Sequence, residues 1–517
     1  MESTRDNPRV QLASIRAPQP VRRVRGLDGM RALACAAVLA YHLLPGTLVG
    51  GFLGVDVFFV LSGFLITALL LREWRNRCHI DLRSFWLRRI RRLLPAVTVM
   101  ALVTLIVAGL VDHDLLAGIV PQFFGVITFA YNWVEIGLGA SYFDTANPHL
   151  WTNVWSLAVE QQFYLLWPLV VIVIVGLHRR WRWLIPALLA LISLSWMAWL
   201  ISGAEDYTRA YQGTDSHAFG LMLGALLATV ARDPLVQVET CAPRRVAWMR
   251  GLIAWVSLAV VIAGWIVIPD SQAWVYPWGT LAICLAMVGF MQAMLPRVDE
   301  AGGPGHLLAN LLDTRVLVWL GERSYGIYLW HWPLAVIITH LHPQLPVWQS
   351  AIYITALSIV AAHLSYRWVE VPMRYRGIGA TLRSWSGPRL FVATGSGTYR
   401  RAGLRDGLRI ALPTTAMLAF LALASQQLIA APTQTEAERL VAAGTTAITA
   451  EPTPAATPST QPSPEPTITT TPTAAPTPGP KSAPTGEHVS VIGDSVTVAA
   501  ASALQEQLPG VAIDAAV

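Results

Sequence analysis

The sequence predicts an all-α polytopic membrane protein of about eleven transmembrane helices, then a Pro/Thr-rich linker and the start of an α/β unit. Three observations carry this. Only 13% of the 517 residues are charged and the mean hydropathy is +0.48, whereas a soluble domain carries about 25% charged residues. Apolar stretches long enough to cross a bilayer recur along the first 430 residues. The basic residues are segregated between those stretches. Together these exclude an ordinary soluble enzyme and a nucleic-acid-binding protein.

The apolar stretches lie near 29–46, 52–71, 93–112, 158–177, 184–202, 216–231, 251–269, 274–295, 317–340, 348–369 and 410–430. A further stretch, 118–136, is ambiguous. With the N-terminus inside and 118–136 re-entrant or surface-lying, 31 of the 37 Lys and Arg face the cytoplasm, and Arg209 is the one basic residue in an outer loop between spans. If 118–136 crossed, Arg179–Arg180 and Arg374–Arg376 would face outward, against the positive-inside rule. The expected location is therefore the bacterial plasma membrane, multi-pass, with a cytoplasmic N-terminus. Residues 1–25 are basic and polar without an apolar core, so they are expected to be a cytoplasmic tail and not a cleaved signal. Cys35, Cys78, Cys241 and Cys284 share no CxxC spacing, so neither a disulfide framework nor a metal site is expected.

Residues 377–409 form a basic cytoplasmic loop ahead of the helix at 410–430. Residues 431–486 are rich in Pro, Thr and Ala and read as an extended extracytoplasmic linker. The tail, 487–517, runs from an apolar strand through Gly493-Asp494-Ser495 into a helix-like segment and a second strand. About thirty residues cannot bury a core. The tail is expected to be poorly ordered, as a fragment of a longer domain or the remnant of a lost one.

Ionisable groups inside spans are costly and each needs a reason. Arg31 and His42 share one stripe of the first span, about 20° apart in direction and about 16 Å apart in depth. An interfacial arginine with a hydrogen-bonded core histidine explains them equally well. Asp56, flanked by aromatics and glycines in the second span, requires a partner, for which His42 or an arginine is the natural choice. Arg88-Arg89-Ile90-Arg91-Arg92 is either a topogenic cluster or a phosphate-binding site. Glu160 and Tyr164 are i,i+4 and share a face. Ser324, Tyr328 and His331 fall on one polar stripe of an apolar helix. These residues alone leave open a transporter whose His42, Asp56 and Glu160 relay protons. No inverted repeat or matching pair of broken helices accompanies that reading.

Five blocks in order resemble the acyltransferase-3 family of membrane O-acyltransferases, which includes peptidoglycan and O-antigen O-acetyltransferases. They are Leu27–Ala34 with His42 at the family spacing, Gly54–Phe64, Arg88–Arg92 with Pro95-Ala96, Trp155–Tyr164, and Ser324-Tyr325 through Tyr328–Pro333. The resemblance covers about residues 25–376, within a membrane domain placed at 26–376. The tail resembles the first block of an SGNH hydrolase domain, so Ser495, preceded by Asp494, maps onto its nucleophile. Two positions depart from the pattern: Asn153 stands where the family often has His, with His149 nearby, and His217 stands where it often has Arg.

The resemblance implies transfer of an acyl group, acetyl above all, from cytoplasmic acyl-CoA to a hydroxyl of an extracytoplasmic glycan. Acyl-CoA is then a donor substrate, with no bound cofactor, metal or nucleic acid. His42 is the expected general base or transient acyl carrier, with Glu160, Tyr164 and His331 as its catalytic neighbours. Arg31, Arg88, Arg91 and Arg92 are the expected donor contacts, and Asp56, Ser324 and Tyr328 further substrate contacts.

Overall fold

A computed structural model of the chain describes residues 24–143, 148–204, 206–231, 243–295, 303–386, 391–393, 399–401, 404–449, 490–493, 495–507 and 511–515. Two units emerge, 1–431 and 432–517.

The described residues of the first unit are mostly helical. In order it holds α1 (Leu27–Leu43), α2 (Gly54–Arg77), α3 (Leu82–Val111), α4 (Ile119–Thr128), α5 (Tyr131–Leu138), α6 (Val154–Gly176) and α7 (Leu184–Leu200). Two short helices, α8 (Thr208–Gln212) and α9 (Thr214–His217), lead into α10 (Phe219–Val230). Then come α11 (Arg244–Val267), α12 (Trp278–Met294), α13 (Pro304–Leu312), α14 (Arg315–Leu341) and α15 (Val347–Ser365). A π-helical turn, Tyr366–Glu370, joins α15 to α16 (Val371–Arg376). The basic loop contains α17 (Ile378–Ser386) and an antiparallel pair, β1 (Phe391–Ala393) with β2 (Tyr399–Arg401), before α18 (Leu404–Ala430). Among the described residues, seven helical stretches are long and apolar enough to cross a membrane. The chain is a multi-pass membrane protein built from helices. Each of the eleven expected stretches contains a helix, but α1 has 17 residues and α10 only 12.

Helix starts and stops follow local chemistry. Asp81 caps α3, and Ser84 gives it both amide and hydroxyl. Those bonds favour the charged carboxylate and hold its pKa below the ordinary value. The stretch 118–136 is broken at Phe129, whose φ is 56°, into α4 and α5. Gln162 of α6 holds that break, donating to Phe129 O and Asn132 Oδ1, both at 2.9 Å. Neither ten nor eight residues spans a bilayer.

Lipid gives helices little hydrophobic reason to associate, so close backbone approach matters. Gly63 of α2 faces the Leu221 carbonyl of α10, and Gly224 of α10 faces the Val60 carbonyl of α2. A Cβ at either would lie 1.9 or 2.1 Å from that oxygen. Helices α1 and α14 meet in the same way at Gly321, which abuts the Asp28 carbonyl. This second contact aligns the two helices that carry the site.

In the second unit, residues 436–449 are helical and not extended as the composition suggests. Thr435 Oγ1 accepts from Glu438 N (3.1 Å) and Glu438 Oε2 accepts from Thr435 N (2.8 Å). This reciprocal capping box starts α19 (Glu436–Thr449). The described part of the tail forms a strand, a helix and a second strand. Strands β3 (Ser490–Gly493) and β4 (Ala512–Ala515) pair in parallel around α20 (Ser495–Gln507). The missing burial is supplied by α19, whose Gly444 lies against the Val498 carbonyl of α20. Ser495 opens α20 and is exposed; Asp494 lies outside the described residues.

Candidate active site

The centre of the site is a pair of histidines from α1 and α14. Pro333 has no N–H, so the Leu329 carbonyl loses its helical partner. Asn153 fills the gap, its Nδ2 donating to Tyr328 O (2.7 Å) and Leu329 O (3.4 Å). His331 Nδ1 lies 2.5 Å from the same Tyr328 carbonyl. A carbonyl only accepts, so Nδ1 carries the hydrogen. In a neutral ring His331 Nε2 then holds the lone pair, and it meets His42 Nδ1 at 3.0 Å. His42 must donate there. That leaves the lone pair of His42 on Nε2, facing the Tyr142 hydroxyl at 3.1 Å. The imidazoles stack, with centroids 5.2 Å apart and planes at 16°, and Trp332 stands edge-on to His42 at 4.8 Å. The tautomer of His42 is thus fixed through His331 by one backbone carbonyl.

A cavity of about 50 Å³ lies between α1, α2, α6 and α14, walled by Arg31, Ser62, Ser156, Glu160, Ser324 and Tyr328. Glu160 accepts hydrogen bonds from Ser62 and from Tyr164, so the predicted i,i+4 pair is real and gains a hydroxyl from α2. Tyr328 O–H donates to Asn153 O (2.9 Å) and lies 2.7 Å from Ser156 Oγ. Ser324 Oγ donates to Gly321 O at 2.9 Å. The polar stripe on α14 therefore divides: Ser324 and Tyr328 face this cavity, while His331 reaches His42.

Asp56 does not meet His42 or an arginine. Its Oδ1 lies 2.9 Å from His217 Nε2, and both side chains are wholly buried. His217 Nδ1 lies 2.6 Å from Tyr211 O. Both ring nitrogens are therefore engaged, one by a carboxyl group and one by a backbone carbonyl. His217 also stacks on Trp155, with planes at 18°. Asp56 and His217 thus tie α2 to the segment before α10, and neither lines the cavity. His217, noted above as a departure from the family pattern, is the partner that sequence reasoning missed.

The arginine cluster also divides. Arg88 is exposed and stands 3.7 Å from Glu73; Arg91 is exposed near Gly377. Arg89, not singled out from the sequence, turns inward, with its guanidinium over Phe85 and Tyr164 at 5.5 and 5.8 Å. Arg92 is half-buried. Arg31, Arg92 and Glu160 lie within electrostatic reach of one another. The inward set is therefore Arg31, Arg89 and Arg92.

Tyr142 and Trp332, which flank His42, also line a second, polar cavity of about 240 Å³. Its walls include Glu135, Ser141, Tyr142, His149, Thr152 and Trp332. Glu135 Oε1 pairs with His149 Nδ1 at 2.7 Å, and Glu135 is 2% exposed. Trp332 Nε1 donates to His149 O at 2.9 Å. Tyr142 and Glu135 carried no usable signal in the sequence, because their roles depend on contacts across the fold. Among the described residues no cluster of three His, Cys, Asp or Glu is placed to hold a metal ion.

A family model described as an acyltransferase domain matches residues 24–367. The peptidoglycan O-acetyltransferase OatA of Listeria monocytogenes is 34% identical over 374 residues, which is 71% of this chain and 58% of that protein. The provisionally named peptidoglycan O-acetyltransferase YrhL of Bacillus subtilis is 35% identical over 378 residues, 72% of this chain and 57% of its own length. This chain spans less than two thirds of each relative. No solved structure matches it. The matched segment contains both histidines, the Glu160 cavity and the arginine cluster, and the chain belongs to the acyltransferase-3 family of membrane proteins.

Proposed function

We propose that the protein transfers an acetyl group from cytoplasmic acetyl-CoA to a hydroxyl of an extracytoplasmic glycan. The observation that carries this reading is the fixed tautomer of His42, whose basic Nε2 stands at the hydroxyl of Tyr142, a residue in the wall of the polar cavity. The relatives named as peptidoglycan O-acetyltransferases support the reaction class and a glycan acceptor.

The proposed topology has eleven spans, with the N-terminus and the arginine cluster cytoplasmic and residues 431–517 outside. Arg88 and Arg91 meet the coenzyme phosphates at the surface, and Arg89 and Arg92 follow the donor inward. Guanidinium forks suit phosphate oxygens. The acyl end enters the cavity beneath Arg31. Its volume of about 50 Å³ is much smaller than that of the second cavity, which suits a small acyl group. Ser324 and Tyr328 form its polar wall, and Glu160 orients Ser62 and Tyr164. His42 takes the acceptor proton on Nε2, and His331 steadies the imidazolium so formed. General-base action of this kind is worth about 10²–10⁴ in rate. In the outer unit, Ser495 with Asp494 is proposed as an SGNH-type nucleophile.

The test is thiol release from acetyl-CoA by protein reconstituted in liposomes, with and without His42→Ala. Acceptor-dependent thiol release that vanishes in the variant is expected. Solute counterflow without thiol release would instead favour a transporter and refute the proposal.

A further inference from the structure

We propose that the second cavity is the binding site for a neutral sugar acceptor, whose reacting hydroxyl is received at Tyr142 beside His42. This rests on the acetyl-transfer reading above and adds where the acceptor binds and of what class it is. The cavity is polar, and among its described lining residues there is no arginine or lysine. Among the described residues its ionisable groups are Glu135, which is buried, Tyr142 and the His149 imidazole that pairs with Glu135. Such a wall disfavours the phosphates of a coenzyme and suits hydroxyls, which both donate to carboxylates and accept from imidazole N–H. Tyr142 and Trp332 add aromatic surface for the C–H face of a pyranose. The cavity's volume of about 240 Å³ is several times the roughly 50 Å³ of the first cavity, so it has room for a bulkier group.

Tyr142 joins this cavity to the base. Its ring is part of the cavity wall, and its hydroxyl lies 3.1 Å from His42 Nε2, the nitrogen that holds the lone pair. The acceptor proton passes to the Tyr142 oxygen as the Tyr142 proton passes to His42 Nε2. The acceptor oxygen forms the new C–O bond with the acyl carbonyl, and the C–S bond of the thioester breaks. The thiolate leaves with the proton returned by His42, so one hydroxyl and one thioester give one ester and one thiol.

The experiment uses the full chain in nanodiscs and N,N′,N″-triacetylchitotriose as the probe. Sugar binding is read by saturation-transfer NMR without any acyl donor, and acceptor and donor KM by transfer from labelled acetyl-CoA. Ser141→Trp, which fills the cavity from its half-buried rim, and Glu135→Gln should each weaken binding and raise the acceptor KM at least tenfold. The donor KM should move less than twofold. Tyr142→Phe should keep the sugar bound and lower kcat at least tenfold. Because Glu135→Gln removes one partner of a buried pair, folding of each variant is checked by size exclusion, and Ser141→Trp leaves that pair intact. Unaltered chitotriose binding by folded Ser141→Trp, or no binding by wild type, overturns the proposal. Cavity-dependent sugar binding by a wild type that leaves acetyl-CoA intact sustains this site and refutes the acetyl-transfer reading instead.

Discussion

Asp56 and His217 offer a test that separates a structural pair from a substrate contact. Both side chains are fully buried, Oδ1 and Nε2 are 2.9 Å apart, and His217 Nδ1 is engaged by Tyr211 O. Asp56→Asn and His217→Leu each leave a buried polar group without its partner. Breaking a buried pair by removing one partner costs about 3–5 kcal/mol, whereas replacing both partners with apolar groups is often neutral. The single variants should therefore lose about 3–5 kcal/mol each, and Asp56→Leu with His217→Leu should lose much less than the sum. The nearby Cys284 Sγ, 3.7 Å from Asp56 Oδ1, is too weak a partner to compensate. Reversible denaturant unfolding in detergent micelles, arranged as a double-mutant cycle, measures the coupling. Single-variant losses below about 1 kcal/mol, or strictly additive effects, would refute the assignment of a coupled buried pair. An Asp56→Asn protein of full stability with a raised acceptor or donor KM would return Asp56 to the substrate-binding set.

Four further outcomes are expected. His42→Ala should lower acetyl transfer by about 10²–10⁴-fold at equal membrane levels, measured as labelled acetate on the acceptor; a loss of only a few-fold removes its role as base. Arg89→Gln should raise the KM for acetyl-CoA more than Arg88→Gln, because Arg89 points inward over Tyr164 while Arg88 is exposed; equal effects would mean that burial does not select the donor contacts. Among cysteine replacements, one at Thr47 should react with an impermeant thiol reagent outside intact cells and one at Arg180 should not; the reverse pattern inverts the proposed topology. Thr435→Ala removes the Glu438 amide acceptor in the capping box and should destabilise α19 by about 1 kcal/mol, seen as faster amide exchange in residues 436–440.

What was legible in the sequence is what helical periodicity or chain adjacency encodes. Glu160 and Tyr164 meet because i,i+4 residues share a face. Ser324, Tyr328 and His331 are on the same helix stripe for a related reason. His42 stood out as an imidazole in an apolar span. Contacts between distant segments were not legible. His217 is 161 residues from Asp56, and no local pattern announces that pairing. Arg88 and Arg89 are neighbours in sequence but point about 100° apart on a helix, so composition identified the cluster without identifying its inward member. The helix at 436–449 was hidden by averaging 431–486 as one Pro/Thr-rich block, although Thr435-Glu436-Ala437-Glu438 is a capping box and no proline follows before 452.

Pro333 links these levels. A proline in a membrane helix removes a hydrogen bond, and the unsatisfied carbonyl is costly in an apolar setting. Here the deficit is met by Asn153, which couples α6 to α14. The adjacent Tyr328 carbonyl also receives His331 Nδ1, and that bond decides which nitrogen of His42 is basic. In a family that often has His at this position, an imidazole could satisfy the same carbonyls by donating, but its second nitrogen would add another titratable group against α14. Asn153 donates from its amide without titrating. Asn153 therefore meets the packing need at Pro333 without placing a third imidazole beside His331 and His42, and the nearby His149 pairs with Glu135 at the second cavity.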